Sequence, residues 1–173
     1  MNQETGPKMQ AAWAALKARG GREVALPTLL PAALVLELAG EDVRPRLYFA
    51  SGPDGAELCL RADLTIPAAL HYAKVAGTDH EPAAWVCEGK VFRAPKSGED
   101  RAPEFVQIGL ERFGDSDRIE ADVTVFLAAW EACQAAGERN LFVRLCDGGL
   151  LPHIIAKADL PEPWGRALGE VAS

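Results

Sequence analysis

The sequence predicts an α+β domain: a mixed, mainly antiparallel sheet flanked by helices. Three observations carry this. Hairpin-type connections, Ser51-Gly52-Pro53-Asp54-Gly55 and the polar stretch 94–103, join strand-like runs, so hairpins outnumber strand–helix–strand crossovers. Apolar helical stretches stand between these hairpins. The chain has 173 residues, 49% hydrophobic and 25% charged, which suits one core and a single domain over residues 1–173.

The elements follow in order. Residues 9–18 are helical, with Met9, Trp13 and Leu16 as a core stripe that Gly20-Gly21 stops. Residues 23–26 form a short strand whose pairing ends at Pro27. Residues 32–39 are an apolar helix before Gly40. Residues 46–50 and 57–61 are strands around the first hairpin turn. Residues 66–75 are helical, opened by Thr65 as N-cap and by Pro67 in the first turn. After the second hairpin, residues 118–136 form the longest helix, and 141–146 a further strand. Residues 150–171 read as two short helices broken by Pro161 and Pro163.

The second hairpin, residues 85–114, is the most informative stretch. Side chains alternate along a strand, so Val106, Ile108 and Leu110 share one face. The other face carries Phe105, Gln107, Gly109, Glu111 and Phe113. A glycine between an amide and a carboxylate leaves an open polar floor, and Arg93 adds a cation beside it. This pattern fits a small-ligand site on a sheet; it fits equally a half-exposed hairpin with polar residues outward.

The same residues also resemble a known family. Phe92-Arg93, a ten-residue connection and then Glu104-Phe105-Val106-Gln107-Ile108-Gly109-Leu110-Glu111 resemble motif 2 of histidyl-tRNA synthetase. They also resemble its non-catalytic relative, the regulatory subunit of ATP phosphoribosyltransferase, which serves the first step of histidine biosynthesis. Leu60-Arg61-Ala62-Asp63-Leu64-Thr65 is similar to the Arg-Pro-Glu-Gly-Thr segment of that group. Glu23-Val24-Ala25-Leu26-Pro27 with the following apolar helix looks like motif 1. The three matches run in order from about Lys8 to Leu151.

The resemblance implies a class II aminoacyl-tRNA synthetase-like fold and histidine as ligand. Asp63, Thr65, Gln107 and Glu111 would surround its amino group, and Arg93 would grip phosphate or carboxylate. The chemistry agrees, because a dehydrated ammonium needs carboxylate or amide acceptors and a guanidinium suits an anion. Taken singly, Thr65 as an N-cap and Asp63 as a charge at a helix N-terminus are sufficient readings.

Two departures from the synthetase bear on catalysis. Pro95 stands where its motif 2 has a glutamate that positions ATP, and offers neither a carboxylate nor an N–H. The chain also ends at Ser173, before the place of motif 3 and its arginine. The expectation is a regulatory subunit without catalysis of its own and without a cofactor. Its partner would be the catalytic subunit of ATP phosphoribosyltransferase, with a homodimer formed through motif 1 inside a hetero-oligomer. A histidyl-tRNA synthetase fragment, a synthetase-like ligase and a purely structural dimerisation module are the alternatives.

Composition narrows the setting. A net charge of −7 with scattered Lys and Arg shows no basic stripe for nucleic acid. No apolar run reaches the roughly 20 residues of a membrane span, and the polar start is no signal peptide. Cys59, Cys87, Cys133 and Cys146 form no CxxC pair. Three of them, Cys59, Cys87 and Cys146, lie in strand-like runs, as buried thiols of a cytoplasmic protein would. No metal-ligand spacing, glycine-rich phosphate loop or nucleophile elbow is present.

Overall fold

The computed structural model describes residues 6–75, 81–158 and 163–164. It divides into two compact units, 1–139 and 140–173. In the first, two three-stranded sheets are built from short, mostly antiparallel strands.

The chain begins with α1 (Pro7–Ala18), where Pro7 at the first helical position costs no hydrogen bond. It continues through β1 (Arg22–Glu23), β2 (Leu29–Pro31) and α2 (Ala32–Ala39). A short 3₁₀ helix (Glu41–Arg46) leads into β3 (Phe49–Ser51) and β4 (Glu57–Leu60). Gly55, with φ of 78°, makes the β3–β4 turn in a region that only glycine adopts easily. Then come α3 (Thr65–Val75), β5 (Ala83–Phe92), β6 (Glu104–Phe113) and α4 (Arg118–Ala135). The Asp117 carboxylate accepts the Glu120 N–H at 2.9 Å and opens α4.

The first sheet has the order β1-β5-β6, and β1 lies parallel to β5. The second has the order β2-β4-β3 and is antiparallel. β5 and β6 pair over ten residues each, from Ala83 opposite Phe113 to Phe92 opposite Glu104. The mixed, mainly antiparallel expectation therefore holds, with the strands parted into two sheets.

Each sheet has its own core. Ala12, Leu16, Val86, Leu110, Ala128 and Ala132 pack α1 and α4 onto the first sheet, with Trp13 and Ile108 partly buried against them. Leu30, Ala32, Val35, Leu36, Leu47 and Cys59 pack α2 onto the second. A third cluster, Leu64, Cys87 and Val91, lies on the opposite face of the first sheet, where α3 meets β6. Helices therefore flank this sheet on both faces.

Several expectations are corrected. β1 is two residues long, begins one residue before the expected 23–26 strand and shares only Glu23 with it; the Val24 N–H continues its pairing, to Val86 O at 3.0 Å. β2, a three-residue strand between Pro27 and Ala32, is not among the expected elements. Residues 141–146 form no strand: Phe142 and Leu145 are exposed, and so is Cys146. Among the described residues no neighbouring strand accepts this segment, and an isolated strand cannot hold its backbone bonds. The second unit contains α5 (Leu150–Lys157); the helix expected beyond it lies outside the described residues, apart from residues 163–164.

Candidate functional site

The candidate site begins with Arg61, the residue that follows β4 and the one charged group buried among the described residues. Its guanidinium is held by backbone carbonyls. Nε donates to Lys90 O at 2.8 Å, and Nη1 donates to Leu26 O at 2.7 Å and Pro27 O at 3.3 Å. Burial lowers its pKa from the ordinary value, and the three carbonyl dipoles take the place of water. Gly89 makes the room: a Cβ there would collide with Arg61 Nη2 and stand 3.0 Å from Cζ. The buried arginine therefore joins the end of β4 to the chain before β2 and to strand β5.

From this anchor the chain turns into α3. Asp63 Oδ1 accepts the Ile66 N–H at 3.0 Å, so Asp63, not Thr65, caps the helix. Thr65 is the first helical residue, and its hydroxyl is free to donate to Glu111 Oε1 at 3.0 Å. The sequence has two oxygen-bearing residues next to the helix start, and spacing alone does not say which one turns inward.

β6 supplies the floor. In the β5–β6 register Cys87 faces Gly109, Gly89 faces Gln107 and Trp85 faces Glu111, so these side chains share one sheet face. Over Gly109 the floor is open: a Cβ there would meet only Glu111 Oε1 at 3.6 Å and Cys87 Sγ at 3.8 Å. The Gln107 carbonyl oxygen is buried and has no hydrogen-bond partner among the described residues. A buried acceptor left open is costly, and a ligand donor would satisfy it. Burial raises the Glu111 carboxyl above the usual carboxylate range; the Thr65 hydroxyl offsets part of this, and the Asp63 charge adds to it. Burial also pushes the Cys87 thiol up to about 11, which makes it an inert packing group. At one end Trp85, Phe113, Tyr72 and His71 close the floor, with Tyr72 stacked on Phe113 at 4.7 Å.

Arg93 lies at the other end. Its Nε donates to Ala62 O at 2.7 Å, and its guanidinium lies 5.4 Å from the Phe105 ring centroid. It lines a cavity of about 270 Å³ with Arg46, Pro95, Arg101, Ala102 and Phe105. None of Asp63, Thr65, Gln107 or Glu111 lines that cavity. The structure thus gathers Asp63, Thr65 and Glu111, places Gln107 on the same floor, and turns Arg93 toward a second, cationic space. Sequence reasoning missed Arg61, Gly89, Arg46 and Arg101. A glycine within a strand is a signal of close approach, and Gly89 carried it.

The arrangement is that of a class II aminoacyl-tRNA synthetase-like domain. A histidine–tRNA ligase subunit from Alicyclobacillus acidocaldarius superposes with a TM-score of 0.66 at 21% identity, over 96% of this chain and 50% of that one. An ATP phosphoribosyltransferase regulatory subunit/histidyl-tRNA synthetase from Bacillus halodurans gives 0.60 at 23% identity, over 80% of this chain and 37% of that one. Residues 8–172 match the family model for histidyl-tRNA synthetase, and the chain belongs to that family. Its curated relatives include ATP phosphoribosyltransferase regulatory subunits. That of Agrobacterium fabrum is 36% identical over 153 residues, 87% of this chain and 39% of its own length. That of Rhizobium meliloti is 37% identical over 153 residues, 87% of this chain and 38% of its own. The chain spans about two fifths of the length of these relatives.

Proposed function

We propose that this chain is the synthetase-like part of an ATP phosphoribosyltransferase regulatory subunit, one that binds free histidine and performs no chemistry on it. The single observation that carries the reading is the polar floor itself. Glu111, bonded to Thr65 and close to the Asp63 charge, and the buried Gln107 acceptor stand on the sheet face that Gly109 leaves open. An ammonium group fits this floor: it donates three hydrogen bonds, and its charge favours the ionised form of the half-buried Glu111. The names of the relatives support the regulatory role and, with it, a catalytic partner subunit. Pro95 supports the absence of adenylation, since it offers no carboxylate beside Arg93.

The ligand assignment is tested by calorimetry with histidine on the wild-type chain and on Glu111→Gln. A charged hydrogen bond contributes about 1.5–3 kcal/mol, so the variant should bind roughly ten- to a hundredfold more weakly. Equal binding by the two proteins would remove Glu111 from the site. Co-purification with a catalytic phosphoribosyltransferase subunit tests the partner. ATP–pyrophosphate exchange stimulated by histidine would favour the synthetase reading instead.

A further inference from the structure

The Arg61 guanidinium has one nitrogen to spare. The residue is 6% exposed, and Nε and Nη1 are taken by the carbonyls of Lys90, Leu26 and Pro27. Nη2 has no share in these bonds and occupies the place of the side chain that Gly89 lacks. Gly89 faces Gln107 in the β5–β6 register, so Nη2 lies on the sheet face of the open Gln107 acceptor, across the ladder from it. Cys87 relates this donor to Glu111. Burial raises its thiol most; of the charges it feels, Glu111 raises it further and Arg61 lowers it. A carboxylate and a guanidinium thus act on one sulfur. A Cβ on Gly109 would stand 3.8 Å from that sulfur and 3.6 Å from Glu111 Oε1, so the open space lies beside both. Arg93, by contrast, donates through Nε to Ala62 O and lines the separate cavity.

We propose that Arg61 Nη2 is the carboxylate anchor of the floor, which takes a whole α-amino-acid zwitterion and not an amine alone. The inference rests on the amino-acid reading of the floor. The ammonium and the carboxylate of an amino acid leave from one carbon, so they need an acceptor and a donor close together. Glu111 with Gln107 supplies the acceptor side, and Arg61 Nη2 the donor side. The three backbone carbonyls hold the guanidinium in place before a ligand arrives, so little side-chain freedom is lost on binding. Those carbonyls are dipoles without net charge. Among the described residues no carboxylate makes an ion pair with Arg61, and an entering carboxylate neutralises a cation that is otherwise uncompensated.

The test is calorimetry with histidine and with histidinol, in which a hydroxymethyl group replaces the carboxylate. It is run on the wild type, Arg61→Gln, Arg61→Lys and Arg93→Gln. The wild type should prefer histidine roughly ten- to a hundredfold, the contribution of a hydrogen bond to a charged group. Arg61→Gln should lose that preference and bind the two ligands alike, and Arg61→Lys should restore part of it. An arginine with a structural role only would weaken both ligands together and leave their ratio unchanged, which would overturn the proposal. Arg61→Gln strands buried carbonyls, so circular dichroism checks its fold first. If it does not fold, Arg93→Gln decides. The histidine preference should survive there, and its loss would assign the carboxylate to Arg93 and overturn the proposal. Equal affinities in the wild type would overturn the proposal and leave the ammonium site standing. Absence of binding by both ligands would overturn the amino-acid reading itself, and this inference with it.

Discussion

Gly89→Ala tests the geometry of the buried arginine most directly. Gly89 is not in the left-handed region, so only space decides its cost. The new Cβ would overlap Arg61 Nη2 and stand 3.0 Å from Cζ, so the guanidinium must withdraw. It cannot do so freely, because Nε is bonded to Lys90 O and Nη1 to Leu26 O. Hydrogen bonds to a charged group contribute about 1.5–3 kcal/mol each, and withdrawal weakens two or more of them. The substitution should therefore cost about 2–4 kcal/mol, a large share of the stability of an ordinary domain. Urea denaturation followed by circular dichroism measures it. Arg61→Met alone should also destabilise, since it strands three carbonyls. In the double variant the methyl introduced at position 89 has no guanidinium to displace, so the two costs should fall well short of additive. A Gly89→Ala cost below about 1 kcal/mol, or strict additivity with Arg61→Met, would refute the close approach.

Other outcomes follow from the same structure. The Glu111 carboxyl is raised in the folded state, so its contribution to stability is present below the unfolded pKa and is lost as pH rises through the folded value. Glu111→Gln should therefore be as stable as wild type or more so at pH 7, and should lose any advantage below about pH 4; denaturation at the two pH values checks the sign. Leu29, Leu38, Tyr48 and Phe49 are exposed around β2, α2 and β3, so the chain should self-associate, and light scattering showing only monomer at high concentration would contradict this. Under native conditions a thiol reagent should modify Cys133 and Cys146 and spare Cys59 and Cys87, as mass spectrometry can show.

Much of this fold was legible because it depends on local signals. The α2 boundaries, the β3–β4 turn and the β5–β6 hairpin are written in apolar periodicity and in turn residues. The polar face of β6 followed from alternation alone. What was not legible depends on distant partners. Arg61 finds its acceptors in backbone carbonyls, which leave no mark on the residues that carry them. The inward role fell to Thr65 and the cap to Asp63, a choice settled by the position of Glu111, 46 residues away. β2 escaped notice because three residues beside prolines show no period. Residues 141–146 carry a strand pattern, but a pattern is not a pairing partner.

The bonds around Arg61 also bear on how the molecule comes together and apart. The β5–β6 hairpin and the β3–β4 hairpin each close on a short loop and can form early. The contacts that tie these hairpins to each other, to the chain before β2 and to α3 span 35 residues at Leu26, 29 at Lys90 and 46 between Thr65 and Glu111. Such long loops close late, after the local pieces exist. The polar floor therefore lies on the seam that completes folding, and partial opening should part it before either hairpin melts. Amide exchange should show the N–H of Phe92, bonded to Arg61 O across that seam, losing protection ahead of the central β5–β6 ladder.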